Sequence, residues 1–140
     1  MSREILIEGN GAKLLVRVDG YADISAADES DANWLKSYVN LSSANFNLEY
    51  PCSLTTNDFK YFRDDVNNIR DKKTARFETD EEAIAVTLDM LPTGEIVVSC
   101  ASNVINGIKT KVEFEFSIDQ SYLGPISESL ESICRDYPIR

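Results

Sequence analysis

Histidine is absent from this 140-residue sequence, and tryptophan occurs once. Without imidazole there is no Ser-His-Asp or Cys-His arrangement, no histidine acid–base chemistry and almost no route to a catalytic zinc site. Carboxylate, lysine or tyrosine chemistry survives that exclusion. Cysteine is scarce too. Cys52, Cys100 and Cys134 stand apart with no Cys-x-x-Cys pair, which argues against a metal knuckle or redox motif and for core packing. No cofactor or metal is expected. Basic residues number 14 against 24 acids, for a net charge of −10. Such a surface repels phosphate backbones, so nucleic acid is not an expected partner. No apolar run approaches the roughly 18–20 residues of a membrane span. The start, Met1-Ser2-Arg3-Glu4-Ile5, lacks the layout of a signal peptide. The expectation is a cytoplasmic protein with no membrane partner. Glycine-rich phosphate loops and the Gly-x-Ser-x-Gly element are also missing, and the chain contains no recognisable repeat, low-complexity tract or linker.

What is present is enough for one core. A hydrophobic fraction of 43% with 27% charged residues suits a single domain over residues 1–140. A chain of this length buries roughly two-thirds of its unfolded surface without staples. Its acids gather in two clusters, Asp19/Asp23/Asp28/Glu29/Asp31 and Glu78/Asp80/Glu81/Glu82. Calcium wants oxygen ligands at alternating positions around a glycine turn, and Ser25, Ala26 and Ala27 occupy those positions in the first cluster. A paired-carboxylate hydrolase would need two acids in one cleft with pKa values pushed apart. Solvated loop acids explain both clusters more simply. The basic group Arg70, Lys72, Lys73 and Arg76 is short and diluted by Asp71.

The periodicity predicts alternating strands. Ile5 and Ile7 precede a Gly9-Asn10-Gly11 turn, and Leu14 to Val18 return to Asp19-Gly20. Tyr21 to Ser30 form a loop. Trp34 to Leu41 alternate as a strand, with Trp34 and Tyr38 on the face opposite Leu35, Val39 and Leu41. Trp34 is expected in the core; for Tyr38, core and surface stay equally open. Ala44-Asn45 turns into a strand through Phe46, Leu48 and Tyr50, where Pro51 ends the pairing or marks a sheet edge. Thr55 or Thr56 caps a helix whose Phe59, Phe62, Val66 and Ile69 share one face. A short strand holds Phe77. Ile84–Met90, Glu95–Ser102 and Val112–Ile118 are further strands, with Asn103 to Gly107 as a loop. A last helix turns Leu123, Ile126, Leu130, Ile133 and Tyr137 inward, its N-cap lying between Ser121 and Gly124 and Pro125 confined to its first turn. The class is α+β, a mainly antiparallel sheet with one central and one C-terminal helix packed on it.

Two segments carry a resemblance. Asp31-Ala32-Asn33-Trp34-Leu35 leads from an acidic loop into a strand. Near the end come an aromatic strand, Val112 to Ile118, then Asp119-Gln120-Ser121-Tyr122-Leu123, a helix, and Tyr137-Pro138-Ile139-Arg140. In this order they resemble the WapI family of bacterial immunity proteins, small antidotes to contact-dependent toxins, named for the antidote to a wall-associated toxin whose C-terminal domain cleaves tRNA. Departures are the long acidic stretch before the first motif and the Gly124-Pro125 pair. The resemblance implies a non-catalytic protein that occludes a cognate secreted toxin domain, and the net charge suits a basic nuclease as that partner. Asp23, Asp28, Glu29, Asp80, Glu81 and Glu82 are the expected partner-binding residues on grounds of charge. Asp31, Asn33, Trp34, Asp119 and Tyr122 are family-like and expected to be structural. The oligomeric state stays open between monomer and homodimer. The alternatives are a cytoplasmic adaptor module with another partner or, less favoured, a carboxylate-based enzyme with a ligand-sized acidic cleft.

Overall fold

The computed structural model describes residues 3–22, 32–79, 83–105 and 107–140. Eight strands form two antiparallel sheets of four. The first holds β1 (Arg3–Gly9), β2 (Ala12–Tyr21), β3 (Trp34–Ser43) and β4 (Phe46–Thr55) in that spatial order. Helix α1 (Thr56–Asn67) and the one-turn α2 (Ile69–Lys72) lead to the second sheet: β5 (Thr74–Glu78), β6 (Ile84–Met90), β7 (Ile96–Ile105) and β8 (Lys109–Ile118). A 3-10 turn (Gln120–Tyr122) and helix α3 (Leu123–Asp136) close the chain. The class is α+β with antiparallel pairing, as the periodicity indicates.

Two features depart from that reading. The strands make two sheets rather than one, and four meandering strands followed by a helix occur twice. Nothing repeats in sequence because the architecture asks only for the same order of apolar periods, which many residue choices satisfy.

Local chemistry explains the boundaries. Asn10 and Gly11 take positive φ (53° and 79°) in the β1–β2 turn, which suits the twist of the strands they join. Thr55 caps α1 through a reciprocal pair. The Asp58 N–H donates to Thr55 Oγ1 at 3.2 Å, and the Thr55 N–H donates to Asp58 Oδ2 at 2.9 Å. Two otherwise orphaned donors are thereby satisfied. Asp119 caps the 3-10 turn with a single bond, its carboxylate accepting from the Ser121 N–H at 2.9 Å. Tyr122 is the α3 N-cap, and Pro125 falls in the first turn.

Each helix packs on the first strand of the other half. Phe59 and Phe62 of α1 lie against Phe77 of β5, with ring centroids 5.2 Å apart in both pairs. Helix α3 packs on β1 and on α1. One continuous core results, running from Ile5 and Val16 through Leu35, Phe59, Phe77, Val98 and Leu130 to Ile133. Where β1 meets β8 the backbones leave no room for a side chain, since a Cβ on Gly9 would lie 2.7 Å from the Ser117 carbonyl oxygen. Gly9→Ala is therefore expected to cost about 1–3 kcal/mol. The urea midpoint should fall with its slope unchanged; an unaltered midpoint would mean the two strands do not abut there.

Of the two readings of Pro51, the sheet edge holds: β4 continues to Thr55, and Pro51 sits on an edge strand, where a missing N–H costs no ladder bond. One strand end differs from the sequence reading. Asn103 to Ile105 are strand rather than loop, paired with Lys109 to Lys111. This ribbon outruns β6, whose pairing with β7 ends at Ile84 and Ser102.

Candidate partner-binding site

Asp23, Asp28, Glu29 and Asp31 fall in segment 23–31, and Asp80, Glu81 and Glu82 are segment 80–82. All seven lie outside the described residues. The flanks of both segments are described, and both are tied down. At the first, the Ala22 N–H donates to the Trp34 carbonyl at 2.9 Å. The Arg140 guanidinium donates from two nitrogens to the Ala32 carbonyl, at 3.0 and 2.7 Å. The Arg140 N–H donates to Asn33 Oδ1 at 2.8 Å, and Asn33 Nδ2 donates to the Arg140 carbonyl at 3.4 Å. The guanidinium also lies over the Tyr21 ring, 3.9 Å from its centroid, a favourable cation–π geometry. Tyr21 in turn donates its hydroxyl to the Pro138 carbonyl at 2.6 Å and meets the Tyr137 ring edge-on at 5.5 Å. Two motifs more than a hundred positions apart in sequence thus form one clasp.

At the second segment, Thr79 Oγ1 donates to the Ile84 carbonyl at 3.0 Å and accepts from the Ile84 N–H at 3.4 Å. Tyr50 reaches across from β4, donating its hydroxyl to the Ala83 carbonyl at 2.8 Å. The same oxygen accepts from buried Ser102 at 2.6 Å. Burial pushes the Tyr50 phenol from 10.0 up to about 12, with the Ser102 hydrogen bond opposing the rise. Both anchors stand beside β4. Trp34 pairs with Thr55 of that strand, and Tyr50 is five residues earlier, so the two anchored flanks are roughly 17 Å apart along it.

The family-like residues take separate places. Asn33 belongs to the clasp. Asp119 caps the 3-10 turn, while Tyr122 is exposed beside an open hollow of about 500 Å³ that Asn10, Gly94 and Gln120 also line. Arg70 donates to Gln120 Oε1 at 2.7 Å. Trp34 is half-buried and stands outside the core, which corrects the core reading. It lies on the outer face of the first sheet, where no helix covers it. Tyr38 is half-buried on that face as well. Its ring lies under the Arg17 guanidinium, 4.5 Å from the centroid, and its hydroxyl donates to Glu49. Register places Glu4, Arg17, Tyr38 and Pro51 side by side there.

The outer face of the second sheet has another character. Its floor is small, with Ala85, Thr87, Ser99 and Ala101 on the central strands and Glu113 and Glu115 rising from β8 around an open trough of about 500 Å³. Beyond it the β7–β8 ribbon exposes Ile105 by 79% and Ile108 by 76%. Large apolar side chains this bare fit a contact surface better than a folding role. The clasp partners Tyr21 and Arg140, the Tyr50–Ser102 bridge and this ribbon tip all escape sequence reading. Only the apolar residues flanking Asn106-Gly107 hint at the last.

Among the described residues, no three acids or cysteines converge as a metal site. No helix among them is long and apolar enough to cross a membrane. Cys100 is buried, and burial pushes its thiol from 9.0 up to about 12. Cys52 and Cys134 are half-buried and pack against the same core.

Comparison with solved structures gives the crystal structures of trypanosoma bruciei MRP1/MRP2, with a TM-score of 0.52 and 10% identity over 96% of this chain and 84% of that one. At that identity the likeness is one of fold. No curated protein matches the sequence. A family model, described as the immunity protein WapI-like family, matches residues 5–138. That span takes in Tyr137 and Pro138 of the C-terminal tail, the Asn33–Trp34 strand start and all but the first two residues of the two sheets, and on it the chain belongs to the WapI-like immunity protein family.

Proposed function

We propose that this protein binds a cognate secreted toxin domain and neutralises it by occlusion, without catalysis of its own, from the cytoplasm of the cell it protects. Family membership across residues 5–138 carries the reading. The net charge of −10 adds the finer point that the toxin is a basic protein, a nuclease being the case that fits best. An acidic partner accelerates encounter with a basic domain by about ten- to a thousandfold at low salt, through long-range attraction. The acids at Asp23, Asp28, Glu29, Asp80, Glu81 and Glu82 supply the contact. Their anchored bases stand within the reach of one standard interface of about 800 Å² per partner.

Co-expression with the C-terminal domain of the adjacent large secreted protein tests the role. Growth rescue and co-purification are expected; neither, against a demonstrably toxic domain, removes that pairing. Charge reversal at Asp28 with Glu29, or at Glu81 with Glu82, is expected to lower affinity roughly tenfold or more, mainly by slowing association, while the melting temperature holds. Raising salt should slow association far more than it speeds dissociation. An association rate indifferent to salt would sink the electrostatic part of the reading.

A further inference from the structure

We infer that the basic toxin domain docks on the outer face of the second sheet, where Glu113 and Glu115 receive its cations and Ile105 anchors its apolar surface. The inference rests on the reading that this protein binds such a domain, and it adds a surface to the acids named for that role. Register builds the face. Ala85 and Thr87 of β6 stand beside Ala101 and Ser99 of β7, and those stand beside Glu113 and Glu115 of β8. Their sequence neighbours Val86, Val98 and Cys100 turn into the core, while these residues stay out of it. No side chain on the floor is larger than threonine, so a partner's main chain can come close to the sheet. The open trough of about 500 Å³ above that floor has acids as its only charged lining.

Two observations give the occupant its chemistry. Glu113 and Glu115 point to the same side of one strand with their Cα atoms roughly 7 Å apart, a spacing at which like charges repel and a shared cation is favoured. Glu115 accepts from the Ser99 hydroxyl at 3.2 Å. Glu113 pairs with Lys111 at 3.3 Å in an exposed bridge, a kind of pair that holds little energy and gives way readily. An arginine entering the trough can bond both carboxylates through separate N–H groups. The second observation is Ile105, which lies on this same face, two alternations beyond Ala101 and paired with Lys109. It is 79% exposed and roughly 13 Å along β7 from Ala101. Charge also orients the partner. Arg76 and Glu78 on β5 offset each other, while Lys109 and Lys111 lie toward Ile105 and keep cations over the trough. A second copy of this chain suits the face poorly, because two such faces would bring their acid walls together, and a phosphate backbone is repelled.

The test titrates the intact protein against the C-terminal domain of the adjacent large secreted protein, reading affinity and both rate constants. Glu113→Gln with Glu115→Gln is expected to weaken binding about tenfold or more, mostly through faster dissociation. Ile105→Ser should weaken it about tenfold, and Ala101→Phe, which fills the trough, by at least as much. None of these positions is in the core, so the melting temperature should hold. Glu4→Gln with Glu8→Gln changes the net charge equally from the first sheet, and should alter affinity by no more than about twofold at physiological salt. Equal losses from the two charge pairs would overturn the inference, since attraction would then act at a distance rather than by contact. Full affinity in the trough and Ile105 variants would overturn it too, leaving the toxin reading in place with its interface elsewhere. A dimer of the unaltered protein that Ala101→Phe takes apart, with toxin affinity kept, would give the face to a second copy instead. If the unaltered protein does not bind a demonstrably toxic domain, the toxin reading falls for that pairing, and the docking surface falls with it.

Discussion

Phe77→Ala is expected to destabilise the protein by about 3–5 kcal/mol, the usual cost of emptying a buried aromatic site. Phe77 is fully enclosed in β5 and lies between Phe59 and Phe62 of α1. Its removal takes away both ring contacts and leaves a cavity that two helix-borne phenylalanines cannot fill without shifting α1. Set against a total stability of about 5–15 kcal/mol, the loss should lower the melting temperature by something on the order of 10 °C. The position carries a second test. Phe77 belongs to the second sheet, and its partners belong to the helix that follows the first. If the two halves are one cooperative unit, the variant melts in a single transition at lower temperature. A split into two transitions would show that the halves fold apart. Arg76→Ala, exposed on the other face of β5, should change stability by no more than about 0.5 kcal/mol.

That pairing of α1 with β5 also marks how far the sequence could be read. The inward face of α1 was legible because Phe59, Phe62 and Val66 repeat at helical spacing, and its cap was narrowed to Thr55 or Thr56, of which the structure uses Thr55. The alternation of Ile84, Val86 and Leu88 named a buried face just as clearly. What periodicity cannot say is which apolar face meets which. The stripe on α1 would suit the first sheet as well as the second, so the exchange of helices between halves left no local mark. Duplication was hidden for the same reason. The β7–β8 ribbon was misread because all its outer residues but Val104 are exposed, so they lose the alternation that burial imposes. Trp34 was placed on the right face of its strand, but alternation cannot say whether a sheet buries one face or both, and that face is open.

The functional residues follow the same division. The family motif around Asn33 and the Tyr137–Arg140 tail each stood out in sequence, yet only folding makes them one object. Its central bonds run to backbone carbonyls of Ala32 and Pro138, which no side-chain pattern encodes. Tyr50 read as one more inward residue of β4; its hydroxyl contacts in the other half were equally invisible. Acidity was legible from the start because charge is a property of composition, whereas the bonds at the described flanks of segments 23–31 and 80–82 are a property of tertiary structure.

Alkaline pH should expose the interior of this protein in a defined window. Burial raises the Cys100 thiol from 9.0 to about 12 and the Tyr50 phenol from 10.0 to about 12. In the unfolded chain both groups return to their ordinary values. Between pH 9 and 12 for the cysteine, and between 10 and 12 for the tyrosine, the unfolded chain has lost a proton that the native state keeps. Unfolding then releases protons, so stability falls as pH rises, by up to about 1.4 kcal/mol per pH unit for each group. Below pH 9 neither contributes. The summed loss approaches about 6 kcal/mol by pH 12 as an order of magnitude, comparable with the stability of a whole domain. Partial burial raises Tyr21 and Tyr137 in the same direction. Urea denaturation at a series of pH values from 8 to 11 should show the midpoint falling increasingly steeply. Cys100→Ala should flatten the curve above pH 9 and Tyr50→Phe above pH 10, each in addition to a pH-independent cost. For Tyr50→Phe that cost is about 1–3 kcal/mol, because Ser102 and the Ala83 carbonyl lose their partner in a dry site. A wild-type curve that stays level to pH 11, or one whose slope survives both substitutions, would mean that water reaches these groups and that the bridge between the two sheets is not sealed.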